Sequence, residues 1–483
     1  MIEPASPAAD DVQQHLREVQ ELLARHRLVE NLVHRQEMPR HDLVETLVHK
    51  QHVASLQERL DSLHPADIAF ILEALPLEDR RFVWDLVKAE RDGEILLEVS
   101  DSVRETLIES MDRDELVDAV ESMDADEIAD LAPDLPTDVV EAVRRQLSPE
   151  ERDQLRAAMS YPENSVGARM DFDAVSVRED VTLETVLRYL RRFENLPDHT
   201  DQVFVVDRNE VLRGALPLDR LLINEPEVLV MDVMQTDVLT LQVLDSQSEA
   251  AQAFERYDLV SAPVLDPRGR LLGRLTVAEV VDVIREEGES DLLSQAGLRD
   301  EEDLFSSVWN SAKNRWLWLA VNLCTAFFAS RVIGSFEGTI EKVVALAALM
   351  PIVAGIAGNS GNQTMTLIIR SLALGQVNAS NARRLVAKEL SIAALNGIVW
   401  GGIAGAFAWW LYSDTPQGVT LGLTMTLAMI LNLLVGAIIA MAVPLGLERL
   451  GRDPALGSSV LLTFTTDSMG FFIFLGLASI FFR

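Results

Sequence analysis

One carboxylate stands where an apolar membrane helix would carry none: Asp467, inside LLTFTTDSMGFFIFLGLASIFF at 461–482. A charge at bilayer depth costs about 2.5–3.5 kcal/mol even on insertion scales, so an intramembrane aspartate marks a working site. A second constellation lies in PIVAGIAGNSGNQTMTLIIR from Pro351, where Gly355, Gly358 and Gly361 recur every three residues. Glycine allows close backbone approach, and polar groups at that depth are tolerated only inside protein or along water. On a helix Asn359, Asn362 and Thr366 follow at 0, 3 and 7 and share a face with Arg370. Interhelical hydrogen bonds would account for asparagine and threonine, but not for a formal charge. Arg331, in the first apolar stretch, is the base available to pair with Asp467. A cation path lined by Asp467 is the reading adopted over that ion pair. The donors on offer are one carboxylate, amides, carbonyls near glycines, and the hydroxyls of Thr463, Thr465, Thr466 and Ser468. Histidine is missing from this region and Cys324 is the single cysteine. Oxygen-only donors suit a hard divalent ion, magnesium above all, rather than zinc or copper.

A third constellation is acidic. Glu279, Asp282, Glu286 and Glu289 lie at 0, 3, 7 and 10 in TVAEVVDVIREEGESDLLSQAG. Like charges crowded on one helix face repel by a few tenths of a kcal/mol per pair. The face is either a solvated linker or a surface that divalent cations bridge to the equally acidic stretch Asp112–Asp130. Seven of the 76 acids and nine of the 42 bases follow Arg315, leaving 69 acids against 33 bases before Trp316, a net of −36. Such a surface repels nucleic acid and anionic lipid and attracts cations.

These residues need elements to hold them. Five apolar stretches follow Arg315, at Trp316–Phe336, Val343–Ile369, Leu390–Leu411, Val419–Pro444 and Leu456–Phe482, each near the roughly 20 residues of a spanning helix. Four bases between Arg370 and Lys388, and Arg449 with Arg452, place those connections in the cytosol. The expected topology is multi-pass in the cell (inner) membrane, N-terminus cytosolic and C-terminus outside. The charged first 60 residues carry no apolar signal region, which agrees with a cytosolic N-terminal part. One cysteine excludes a disulfide framework. From about Leu60 to Met159 short helix-turn units repeat, as in MDRDELVDAVESM and MDADEIADLAPDLP, with Ser, Asp or Pro starts. Upstream, LVENLVHRQ from Leu28 is echoed by LVETLVHKQ from Leu43, and the histidines there read as solvated helix faces.

A second duplication spans 165–285. ARMDFDAVSVREDVTLETVLRYLRR matches DVMQTDVLTLQVLDSQSEAAQAFER at an offset of 64, and QVFVVDRNEVLRGALPLDRLL matches APVLDPRGRLLGRLTVAEVVDVI at 59. The order strand, helix, strand, turn, strand, helix resembles a tandem pair of CBS domains, modules that often bind adenine nucleotides. The threonine-to-aspartate spacing used for a ribose is incomplete in both copies, at Asp219 and Glu279, so a nucleotide site is not expected here.

With AGNSGNQTMTLIIRSLALG from Ala357, RDPAL from Arg452 and TTDSMG around Asp467, the chain resembles the MgtE family of magnesium channels and transporters. The resemblance implies a multidomain membrane protein: an N-terminal helical extension (1–58), an all-α superhelical N domain (59–162), an α+β tandem CBS pair (163–275), a connecting plug helix (276–312) and a five-helix transmembrane domain (313–483). It further implies a homodimer with a pore on the two-fold axis, Asp467 of each subunit holding hydrated Mg2+ with help from Gly358, Asn359, Gly361 and Asn362. It implies closure when cytosolic Mg2+ binds acids between the N domain, CBS pair and plug helix. The acids expected there are Glu279, Asp282, Glu286, Glu287, Asp126 and Asp130. Repulsion across a −36 surface opens the domains and bound cations let them pack, which gives the same sign of control. The alternative within this reading is a CBS-regulated transporter of another divalent cation such as Mn2+ or Co2+. An anion channel would want basic pore groups instead of Asp467. An enzyme would need a phosphate-cradling loop, a nucleophile with its base, or a histidine metal pair, and the sequence offers none of these.

Overall fold

From His64 to Ser148 a new helix starts every twelve residues. In the computed structural model, which describes residues 9–34, 53–121, 123–193, 195–298, 303–374, 376–377 and 381–482, two helices precede this array: α1 (Ala9–His34) and α2 (53–61). Then follow α3 (Pro65–Glu73), α4 (Leu77–Trp84), a 3-10 turn at Ala89–Arg91 running into α5 (Asp92–Glu98), α6 (Asp101–Ile108), α7 (Arg113–Glu121), α8 (Ala125–Leu131), α9 (Thr137–Gln146) and α10 (Pro149–Ala158). The residues just before these starts are His64, Pro76, Lys88, Ser100, Asp112, Asp124, Pro136 and Ser148. Capping chemistry sets the period. Asp124 with Glu127 and Ser148 with Glu151 form reciprocal capping boxes, and Asp112 accepts from the Asp114 and Glu115 amides while Glu115 returns a bond to its own. Proline fills the cap or first-turn position at three further starts, at Pro65, Pro76 and Pro136, where no amide donor is missed.

Each unit points its apolar side inward. Ile68, Ile71, Leu96, Val103, Leu107, Val120, Ile128 and Val139 share one core, which Val19 and Leu23 of α1 extend. One histidine expectation changes here: His26 is half-buried and stacks on Phe82 with ring centroids 5.1 Å apart. His64 is exposed, as expected, and caps α3 by accepting from the Ala66 amide. Most of the upstream duplication, at 35–52, lies outside the described residues.

The second duplication folds as two matching halves. In the first, β1 (Ser176–Arg178), α11 (Leu183–Leu190), β2 (Gln202–Val206), β3 (Leu212–Pro217) and α12 (Leu218–Ile223) follow in order. The second half opens with α13 (Val230–Val233) and runs β4 (Leu241–Gln242), α14 (Gln247–Tyr257), β5 (Ser261–Leu265), β6 (Leu271–Thr276). In each, the first strand pairs parallel to the second and the second antiparallel to the third. A bulge falls at Val205/Val206 in one and at Val264/Leu265 in the other, the same place in the repeat.

Helix α15 (Val277–Ala296) follows β6 directly. The connecting helix expected over 276–312 therefore ends early. Gly297 takes φ +73°, a left-handed stop in which the Leu298 amide reaches back to the Leu293 carbonyl. The chain forms two compact units: residues up to Glu286 with Asp303–Ser306, and Glu287–Glu302 with Ser307–Arg483.

The second unit contains α16 (Val308–Gly334), short α17 (Glu337–Lys342), α18 (Ala345–Ala373), α19 (Ala382–Leu411), α20 (Gly418–Arg449) and α21 (Ser458–Phe481). Four of these are long and apolar enough to cross a membrane: Ser311–Gly334 within α16, and α19, α20 and α21. Helix α18 is 29 residues long but carries Pro351 and the glycine-asparagine run, which lower its hydropathy. Small residues let α19 and α20 touch. A Cβ on Gly397 would lie 2.9 Å from the Ile430 Cα, and the Thr426 hydroxyl reaches the Gly401 and Gly422 carbonyls at 3.0 Å each. Leu346, Leu349, Val353, Met425, Met429, Phe474 and Leu475 form the core between α18, α20 and α21.

Candidate cation path and acidic face

The two stretches singled out in the membrane half meet. Helices α18 and α21 pack along Gly358 and Gly361. A Cβ on Gly358 would sit 3.5 Å from the Thr466 hydroxyl, and one on Gly361 would press on Leu462 at 2.8 Å. The glycines thus bring the α18 backbone against the turn of α21 that leads into Asp467. Asp467 is half-buried. On α18 the polar face is bare: Asn359, Asn362, Thr366 and Arg370 are all exposed. A stripe of exposed amides is a surface suited to water or to another protein. Arg331 is also exposed and makes no ion pair with Asp467 among the described residues. Of the four hydroxyls considered as donors, Thr466 and Ser468 are buried, while the Thr463 hydroxyl is exposed and donates to the Ser459 carbonyl at 2.9 Å.

The acidic face is built in the first unit. Helix α8 carries Asp126 and Asp130, and the segment before β1 carries Arg169, Asp171 and Asp173. Glu279, Asp282 and Glu286 lie on the first turns of α15. Arg169 is the hub. Its guanidinium reaches Asp130 at 3.4 Å and Glu286 at 2.7 Å. The cation bridging α8 to α15 in this structure is an arginine. Strand β6 fixes the opposing carboxylate: the Asp171 backbone pairs with Arg274, whose guanidinium holds the Asp171 side chain at 2.7 Å.

Uncompensated charge collects beside this hub. Burial, with Asp171, Glu127 and Asp124 adding like charge, pushes Asp126 up to about 8. Burial also lifts Glu279 to about 7, Arg169 opposing it and Asp282, Asp130 and Asp171 adding to it. Asp124, Glu127, Asp173 and Glu286 are all raised by burial as well. In the N-terminal array Asp92, buried and facing Glu115, rises to about 7. A cation bound among these groups would displace their protons to water. Among the described residues no three His, Cys, Asp or Glu side chains converge to ligate one metal directly. Glu287 falls in the second unit.

Four residues were not legible as site components. Arg169 and Asp171 sit in the ARMDFD stretch, where the pattern revealed a strand repeat but no partner. Glu389 lies just outside the expected span, yet α19 begins at Ala382, so its carboxylate is buried and accepts from Thr364 at 3.0 Å. Asn432 hides in an apolar run. The argument used for Asp467, a polar group at membrane depth, would have flagged it.

One family model, described as a divalent cation transporter, matches residues 350–477; another, the MgtE intracellular N domain, matches 63–164; a third, the CBS domain, matches 230–286. The chain is 31% identical over 440 residues to the magnesium transporter MgtE of Thermus thermophilus, covering 88% of this chain and 94% of that protein. It is 29% identical over 436 residues to the magnesium transporter MgtE of Bacillus subtilis, covering 87% and 93%. A crystal structure of the cytosolic domain of the Mg2+ channel MgtE in complex with ATP is 28% identical, with a TM-score of 0.45, and covers 50% of this chain and 98% of that one.

Proposed function

The chain belongs to the MgtE family of magnesium transporters, and we propose that it carries hydrated Mg2+ into the cytosol down its electrochemical gradient and closes when internal Mg2+ is high. The observation that carries this reading is the bare polar stripe Asn359, Asn362 and Thr366 on α18 packed beside the α21 turn that presents Asp467. In our reading α18 is a fifth crossing, and its polar face lines the path with the same face of a second copy. The two Asp467 carboxylates hold the ion through its waters. Gly358 and Gly361 supply close backbone approach, and Asn359 and Asn362 supply amide oxygens.

Closure follows from electrostatics. Asp126, Asp130, Glu279, Asp282 and Glu286 repel one another when ionised, Asp126 and Glu279 keeping their protons up to about pH 8 and about pH 7, and Arg169 offsets only part of that charge. Divalent ions bound on this face favour the packed arrangement, and a ligand that prefers one state shifts the population toward it. The membrane orientation, N-terminus in the cytosol, puts this face where it reads internal Mg2+. Relatives named as transporters support a non-enzymatic role.

The test is Mg2+ uptake into proteoliposomes. Asp467→Asn is expected to abolish flux, and Glu279→Gln/Asp282→Asn/Glu286→Gln to conduct even with high Mg2+ on the cytosolic face. Normal flux through Asp467→Asn would sink the cation path. Mn2+ or Co2+ outcompeting Mg2+ would move the assignment to another divalent ion.

A further inference from the structure

Asn432 is fully buried in the middle of α20. Its amide nitrogen donates to two carbonyls on two other helices, Val353 of α18 and Thr466 of α21, each at 3.1 Å. Two acceptors fix which end of the amide is nitrogen, since the oxygen facing them would be repelled. The Thr466 carbonyl belongs to the peptide that joins Thr466 to Asp467. One side chain therefore holds the backbone of the pore carboxylate at a set distance from the helix that carries the asparagine stripe.

The surroundings are shaped for this amide. A Cβ on Gly470, one turn beyond Thr466, would lie 2.5 Å from the Asn432 nitrogen, so a side chain there would drive the amide out. One turn along α20, a Cβ on Gly436 would approach the Ala357 carbonyl at 3.0 Å and the Thr466 methyl at 3.4 Å. The three helices close on Asn432 through missing side chains. The Asn432 oxygen is buried and accepts nothing. An unpaired acceptor in an apolar bundle costs stability, and a leucine of similar volume would fill the space without that cost. Packing alone does not call for an asparagine here.

We propose that Asn432 is a positioning residue for conduction: it sets the spacing between Asp467 and the α18 polar stripe, and so tunes which hydrated ion fits. The inference rests on the reading of Asp467 as the pore carboxylate. Glue between helices would affect only how much folded protein is present, whereas a spacer affects how the surviving protein handles the ion.

Two variants reach the amide by different routes. Asn432→Leu removes the donor, and Gly470→Ala displaces the amide while removing no polar group. In proteoliposomes both are expected to raise the half-saturating Mg2+ concentration and to narrow the preference for Mg2+ over Ca2+ by about tenfold, the equivalent of one well-formed interhelical hydrogen bond. Melting in detergent, measured alongside, accounts for lost folding. If both quantities stay at wild-type values in the flux that remains, Asn432 is glue and the inference is overturned. Asp467→Asn in the same series separates the two claims. Loss of flux there, with Asn432→Leu unaltered, removes only the spacer; normal flux there removes the pore assignment on which it stands.

Discussion

Arg80 and Asp303 are 223 positions apart and meet in a buried two-pronged ion pair, with contacts of 2.7 and 3.2 Å. Arg80 is fully buried in α4, and its third donor reaches the Leu72 carbonyl at 2.9 Å. Arg104, twenty-four residues on, repeats that last bond with the Leu96 carbonyl at 2.9 Å. One of its outer nitrogens faces Asp101, Asp130 and Asp134 of the same array, and the other donates to the Val99 carbonyl. The array supplies its own acid to one arginine, while the other takes it from the segment five residues before α16. Removing one partner of a buried pair strands the other charge. Asp303→Asn and Arg80→Met are each expected to cost about 3–5 kcal/mol of first-unit stability, and Arg80→Met/Asp303→Leu to recover most of it. Thermal unfolding of the four proteins gives the cycle; independent, additive losses would show that the pair carries no coupling.

The raised carboxylates make stability depend on pH in a defined direction. Asp126 and Glu279 titrate near 8 and 7 in the folded chain and near 4 when unfolded. Between those values the folded state binds more protons than the unfolded one, so stability falls as pH rises from about 4 to about 8. In chelator the first-unit melting temperature is expected to drop by about 5 °C from pH 5.5 to 8. Millimolar Mg2+ should remove most of that drop, and Asp126→Asn should flatten it. A melting temperature that climbs across this range would contradict the assignment.

Thr364 is the donor to the buried Glu389 carboxylate. Thr364→Val leaves that group short of a partner and is expected to cost about 1–3 kcal/mol. Adding Glu389→Leu should restore stability, read as melting in detergent. If the double variant is no better than Thr364→Val alone, the hydroxyl is not what supports the carboxylate.

Trp318 of α16 sits between two left-handed glycines. A Cβ on Gly297, at the end of α15, would come within 3.1 Å of the indole, and one on Gly457, at the start of α21, would overlap it. Both positions need φ > 0, which alanine adopts only with strain. Gly457→Ala is expected to lower the melting temperature more than Gly297→Ala, and Trp318→Leu to relieve part of the larger effect. Equal effects of both alanines, unrelieved by Trp318→Leu, would mean that backbone strain alone acts.

Local chemistry determined much of this protein before any coordinates. Capping residues and prolines at regular intervals announced short helices, apolar length announced spans, and the duplicated strand-helix pattern announced two matching α+β halves, because each of these signals acts over a few neighbouring residues. Asp467 stood out for the same reason, as a charge inside one apolar run. What the sequence could not disclose depends on residues distant in the chain. That Arg169 rather than an ion spans Asp130 and Glu286, that Arg80 finds Asp303, that Gly297 halts α15 short of α16, and that Asn432 fastens the peptide before Asp467 are outcomes of packing. A carboxylate's partner, and the cost of its charge, are set by which groups tertiary contact brings within a few ångströms, and sequence spacing carries no record of that distance.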